Sequence, residues 1–520
     1  MPALGLDLEL GAKMVDGEKY GDWYRDPWGW PEASPQFVST LQPRDLGVLK
    51  TAGRFGTTWP AFHAFSFPKS YVGVRPAVVL DAASRIAYTS AAVAIAPRLH
   101  NNLPDWVYGW RLRDGVFSAS AAEWSLYQAS QAPIATSPFA AQTDITSFFA
   151  TVDVQLLIRS LTDSGIAGAP LGVIEDVLNS HCRLSTRSGL TQRSIASSML
   201  ANIALRDIDD LLLAAIDEGR LTGARRWMDD ISFEGSEAAL YRTLVQLQEF
   251  GRQFGLEINT SKTKVTTGSE SAAALQLEAQ RLILVTRDEA AFSDDYPDAF
   301  STVIDASELE DAEDRLLAAP RDSSRTLAGL VLKSLRHFER FDRIDEWLGA
   351  ARYLPHAADH LSRFISRAHY CARLPLDPSS WFVREQERNW PYLEWTSAQH
   401  ALALPSDVLS PDARQVLMGW LASSQSLQQV AVAVQRLGSA PTSSVRTAIA
   451  NRIDTTSDPL VLRVLALGLW QAGGSRDRVD AALRRHPSNT LILNYLNANR
   501  WHLPRVQEDF DPSQASGDAA

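Results

Sequence analysis

Apolar positions recur with two different periods along this chain, and the change comes near residue 270. From "FHAFSFPKSYVGVRPAVVLD" to "GLEINTSKTKVTTG", short β-rich runs mix with helical ones, which predicts an α+β domain over residues 56–270. Its clearest helix is "RSIASSMLANIALRDIDDLLLAAIDEG", where Ile195, Met199 and Ile203, then Ile208, Leu212 and Ile216, keep helical spacing. Beyond residue 270 the pattern turns into successive amphipathic helices broken by Pro, Gly and Ser. "SSVRTAIANRI", "DPLVLRVLALGLWQAGG" and "SRDRVDAALRRH" are three in a row, which predicts an all-α, HEAT-like array over residues 271–507. Residues 1–55 hold "GDWYRDPWGWPEASP", read as an irregular Trp-rich arm that docks its rings elsewhere, and residues 508–520 are small, polar and acidic, hence a disordered tail.

Charge narrows what such a chain can do. A formal net charge of -11 excludes coating nucleic acid through bulk positive charge, so any nucleic-acid site is expected to be focused. Cys182 and Cys371 belong to no CxxC or Cys/His cluster, so neither a disulfide framework nor structural zinc is expected. The N-terminus lacks a secretory pattern and no apolar run reaches bilayer length, so a cytoplasmic protein without a membrane partner is expected.

One stretch breaks the hydrophobic logic. In "RRWMDDISF", Asp229 and Asp230 sit between strand-like apolar residues, at or near a tight hairpin turn. Such a pair alone is ordinarily a solvated turn. Upstream, in "QTDITSFFATVDV", Asp144 likewise interrupts a strand-like run. Three carboxylates on adjacent strands supply what a two-metal centre needs, and hard oxygen ligands select Mg2+ or Mn2+ over zinc.

Four ordered segments resemble the motifs of reverse transcriptases across roughly residues 60–270: "DITSFF", "GLTQRSIASSMLAN", "WMDD" and "GLEINTSKTKV". The resemblance implies a fingers and palm domain, with Asp144, Asp229 and Asp230 as catalytic metal ligands. It places Phe149 beneath the sugar of the incoming nucleotide, favouring deoxynucleotides, and leaves Phe148 to the core. It brings Lys69 and Arg75 of "FPKSYVGVRP" to the triphosphate, and Lys262 near the leaving pyrophosphate. Gln192 belongs to the glycine-led turn, Gly189 to Arg193, which lines the nucleotide site. Two positions depart from the family pattern: Arg193 stands where a glycine is usual, and Trp227 where a tyrosine or phenylalanine is usual.

A palm followed directly by a helical array is most similar to bacterial abortive-infection and defence-associated reverse transcriptases. That implies an antiphage DNA polymerase using dNTPs and releasing single-stranded DNA. Whether an RNA template is used stays open, as does priming from a protein hydroxyl, for which Tyr20, Tyr24 and Tyr71 are candidates. A helical array also makes a homo-oligomer plausible. Rival readings are a retron-type enzyme copying a partner RNA, and a catalytically idle palm serving as a scaffold. An RNA-templated RNA polymerase is disfavoured by Trp227 and Phe149 together.

Overall fold

A computed structural model describes residues 3–504 except 19–22, 50–52, 57–59, 114–115, 118–119, 185–187, 273–281, 287–299, 372–376, 389–392, 406–408 and 439–440. Tyr20 and the acidic tail expected at 508–520 lie outside the described residues. Among those residues no helix is long and apolar enough to cross a membrane.

The α+β part is organised on a five-stranded sheet. Its order is Lys264–Thr267, Phe139–Thr143, Asp230–Gly235, Leu221–Trp227 and Val107–Tyr108, antiparallel except for the last pair. Helices Arg206–Asp217 and Glu237–Gly251 pack on it. In the second of these Leu240, Leu244 and Leu247 form the buried stripe, and the Ser236 hydroxyl accepts the Ala239 amide as N-cap. A long helix, Ala82–His100, is almost wholly buried because other helices surround it: Leu8–Glu18, Ala169–Cys182 and Ile195–Ala204. Its N-cap Asp81 accepts the Ser84 and Ala61 amides, and burial still pushes its carboxyl up to about 6.

Three expectations need correction. The segment read as one helix over residues 193–219 is two, Ile195–Ala204 and Arg206–Asp217, because Leu205 leaves helical geometry at φ -96°, ψ 2°. The arm is not irregular throughout, since Leu8–Glu18 is a helix. A β-hairpin, Leu282–Thr286 with Phe300–Ile304, lies within the stretch read as all-α.

The C-terminal array starts its helices with one recurring device. Asp377-Pro378, Ser410-Pro411 and Asp458-Pro459 each place a capping oxygen before a proline whose missing amide costs nothing at the first helical turn. Helices Ser443–Thr455, Pro459–Gln471 and Arg476–Leu483 match the three segments expected from the sequence.

The arm and the array together grip an outer hairpin, Phe62–Pro68 with Val74–Leu80. Phe67 stacks on Trp23 at 3.9 Å and meets Trp395 edge-on at 4.6 Å, while the Trp395 indole donates to the Trp23 carbonyl. At the hairpin tip, the Arg321 guanidinium lies over both Tyr71 and Tyr353. Farther along the chain the buried Arg463 guanidinium donates to Asp26 and Glu32 and lies over Trp30 at 4.4 Å. His63 Nδ1 lies 2.7 Å from Asp458, and its Nε2 accepts the Leu427 amide. Asp458 therefore caps a helix and holds the hairpin at once. Asp458→Ala should lower stability by about 2 kcal/mol, the upper end for a lost N-cap, read as a lower urea midpoint.

Candidate active site

Register brings the carboxylates together. Thr143 pairs with Ile231, so the next residue, Asp144, runs alongside Asp230, and the Asp230–Trp227 pairing leaves Met228 and Asp229 as the hairpin turn. A backbone bridge between Ile145 and Ile258, with the Asn259 amide donating to the Asp144 carbonyl, fixes the chain just past Asp144. Burial raises the Asp229 carboxyl above its ordinary value and the charge of Asp144 adds to this. Asp230 is exposed, yet the surrounding protein and then Asp229 push its carboxyl up to about 6.

Cations stand opposite. Lys262 donates to Asp144 Oδ2. Lys69, reaching in from the outer hairpin, has its ammonium pushed down by burial and by Arg75 and Lys262, while Asp144 and Asp229 pull it up. Arg75 is lowered by burial and next by Arg193, with Asp229 acting in the opposite direction. Thus Lys69, Arg75, Arg193 and Lys262 share one field with the three carboxylates. Gln192, in the same turn as Arg193, is half-buried.

Backbone packing sets the position of Phe149. Phe148 is 2% exposed and belongs to the core, whereas Phe149 is half-buried, its ring 5.6 Å from that of Phe148. The Leu190 amide donates to the Phe149 carbonyl at 2.7 Å. A Cβ on Gly189, at φ 63°, would come within 2.1 Å of that same carbonyl oxygen, so only glycine lets the turn lie on the Phe149 backbone. Arg193 holds φ 58°, the left-handed conformation a glycine takes freely, at a cost of roughly 1–2 kcal/mol. Its guanidinium lies 5.5 Å from the Trp23 ring centre.

Among the described residues no group of three or more His, Cys, Asp or Glu is arranged to hold a metal ion by itself. The donors nonetheless suit Mg2+, which is usually held by one or two carboxylates with substrate phosphates and water completing the shell. One observation supports the fit: Asp144 Oδ1 is buried and accepts no hydrogen bond. Of the candidate priming hydroxyls, Tyr24 is buried, its phenol held well above the ordinary value by desolvation and then by Asp26, and Tyr71 is half-buried against Tyr353.

The sequence reading passed over the residues that hold the turn itself. Arg226 is fully buried, its Nε and Nη2 donating to Asp209 at 2.7 and 2.6 Å and its Nη1 to Asn202 Oδ1 and to the Met228 carbonyl, both at 3.0 Å. Met228 holds φ 55°, a position that favours glycine in a hairpin turn. On the other side of the strand Arg225 pairs with buried Glu234, which also accepts the Ser137 hydroxyl at 3.0 Å. The available signal was two successive arginines inside a strand flanked by apolar residues, since strand neighbours point to opposite faces and each needs its own acid.

Comparison with known proteins supports the same reading. A family model described as reverse transcriptase (RNA-dependent DNA polymerase) matches residues 68–290, less than half of the chain. No curated protein matches in sequence. Among solved structures, telomerase from Candida albicans in complex with a TWJ fragment of telomeric RNA is similar at 11% identity and a TM-score of 0.30. That match covers 65% of this chain and 66% of that one, just short of two thirds. Residues 68–290 thus match the reverse-transcriptase family model, and the three carboxylates and the opposing cations all lie within that matched segment.

Proposed function

We propose that this chain is a bacterial antiphage polymerase that builds single-stranded DNA from dNTPs by two-metal nucleotidyl transfer, primed from a protein hydroxyl and independent of a conventional template. The observation that carries the catalytic part is the buried Oδ1 of Asp144, without a hydrogen bond, in a carboxylate whose strand runs beside that of Asp230 and whose charge reaches Asp229 together with those of Lys262 and Arg75. In this reading Asp144, Asp229 and Asp230 hold Mg2+ or Mn2+, which lowers the pKa of the attacking hydroxyl and neutralises charge on the leaving pyrophosphate. Lys69 and Arg75 bind the triphosphate, Gln192 lines the nucleotide site, and Lys262 passes from Asp144 to the departing pyrophosphate.

Phe149 would lie beneath the sugar and exclude a 2′-hydroxyl. Phe149→Ala should lower the ratio of kcat/KM for deoxynucleotides over ribonucleotides by about 10- to 100-fold, and an unchanged ratio removes Phe149 from that role.

Support for unusual template use comes from Arg193 and Trp23, which close the glycine-led turn with a cation over a ring, and from the array's hold on the outer hairpin. Labelled dNTPs with Mg2+ or Mn2+, without template or primer, test this on a denaturing protein gel. Label migrating with the wild-type chain supports self-priming. Label that appears only after RNA template and primer are added overturns it in favour of a conventional or RNA-partnered enzyme. Plating phage on cells that carry wild type or Asp229→Asn tests the defence role, which falls if the two plate alike.

A further inference from the structure

Beside the catalytic turn lies an aromatic cluster for which the reaction above has no use. The Trp227 ring meets Trp124 edge-on at 4.9 Å and lies 5.7 Å from both Trp110 and Tyr127; Tyr127 in turn lies 5.7 Å from Tyr108. These rings come from three segments, and buried polar side chains fix all of them. Glu123, fully buried, accepts the Gly109 amide at 3.2 Å and the Arg113 Nε at 2.7 Å, tying the helix of Trp124 to the loop of Trp110. Asn202 donates to the Gly109 carbonyl at 2.9 Å while accepting from Arg226, so the loop and the catalytic turn share one network.

Such construction normally serves a closed core, yet Trp124 is 43% exposed. The exposed Trp124 ring packs edge-on against Trp227, which stands two residues before Asp229 in the chain, and an exposed ring so placed matches what bases need, because every base offers a π-face and stacking tolerates any sequence. The position fixes the occupant: Trp227 immediately precedes the turn that bears Asp229, and the charge of Asp230 is felt at the Tyr127 phenol. A DNA strand whose end reached the carboxylates would have this surface beside it.

We propose that Trp124, backed by Trp110, Tyr127 and Trp227, is a stacking surface for the bases of single-stranded DNA next to the catalytic turn; this rests on the polymerase reading. Because the hydrogen bonds of Glu123 and Asn202 do not run through the Trp124 side chain, replacing it leaves the buried network in place. Fluorescence anisotropy of short labelled oligo(dT) with the full chain gives the test. Trp124→Ala should weaken binding by about 5- to 150-fold, and Trp124→Phe, which keeps a π-face, should recover most of it. Leu126→Ala, another exposed apolar residue of the same helix, should bind as wild type does. Affinity of Trp124→Ala within about twofold of wild type overturns the proposal. So does a change of oligomeric state in Trp124→Ala at unaltered oligo(dT) affinity, which makes the surface a contact between copies. Weakened binding by Trp124→Ala alongside undiminished dNTP incorporation by Asp229→Asn upholds the surface and sinks the catalytic reading instead.

Discussion

Asp229→Asn should cut dNTP incorporation by roughly a thousand-fold or more, equivalent to about 4 kcal/mol of transition-state stabilisation, while the protein melts at or slightly above the wild-type temperature. The two halves of this result have one cause. Without a cation, burial and the charge of Asp144 disfavour an ionised Asp229, so removing its charge relieves repulsion in the folded chain. With a cation bound, the same clustering is an asset, and an amide supplies neither the charge nor the ligand strength. Wild-type activity should likewise vanish on chelation of divalent ions and return with Mg2+ or Mn2+. Incorporation by Asp229→Asn within about tenfold of wild type would rule out the two-metal assignment.

The sequence made legible what local pattern encodes. The three successive helices over residues 443–483 and the hairpin turn at Asp229 both follow from spacing within a few residues. Hidden features depend on partners far along the chain. The break at Leu205 interrupts a continuous apolar stripe, and it separates the helix bearing Asn202 from the helix bearing Asp209, both of which meet Arg226. Arg225 and Arg226 look like solvated charge because a hydrophobic pattern scores Glu234 and Asp209 as polar too, whereas each acid–base pair is buried as a unit. The grip of the array on the outer hairpin rests on pairs such as His63 with Asp458, 395 residues apart, which no local signal announces.

The buried pair beneath the turn yields the second large effect. Arg226→Ala should cost about 3–5 kcal/mol of folding stability, since it strands the Asp209 carboxylate in the core, where burial already opposes its charge. Stability alone does not reveal the role of the guanidinium, because any broken buried pair does this. The double variant Arg226→Met with Asp209→Leu separates the two: apolar replacements of similar size often match a buried ion pair, so its melting should return close to wild type. Its turn, however, has lost the donor to the Met228 carbonyl, and a non-glycine residue at φ 55° has reason to relax. A shift of about 1 Å at Asp229 is enough to lower kcat by about 100-fold with KM for dNTP near wild type. Adding Met228→Gly, which takes positive φ freely, should then raise kcat again, although it removes a buried side chain and lowers stability. Rescue of rate against the trend of stability is an outcome that packing cannot produce. If the double variant already polymerises at the wild-type rate, the turn keeps its shape unaided and Arg226 serves the fold only.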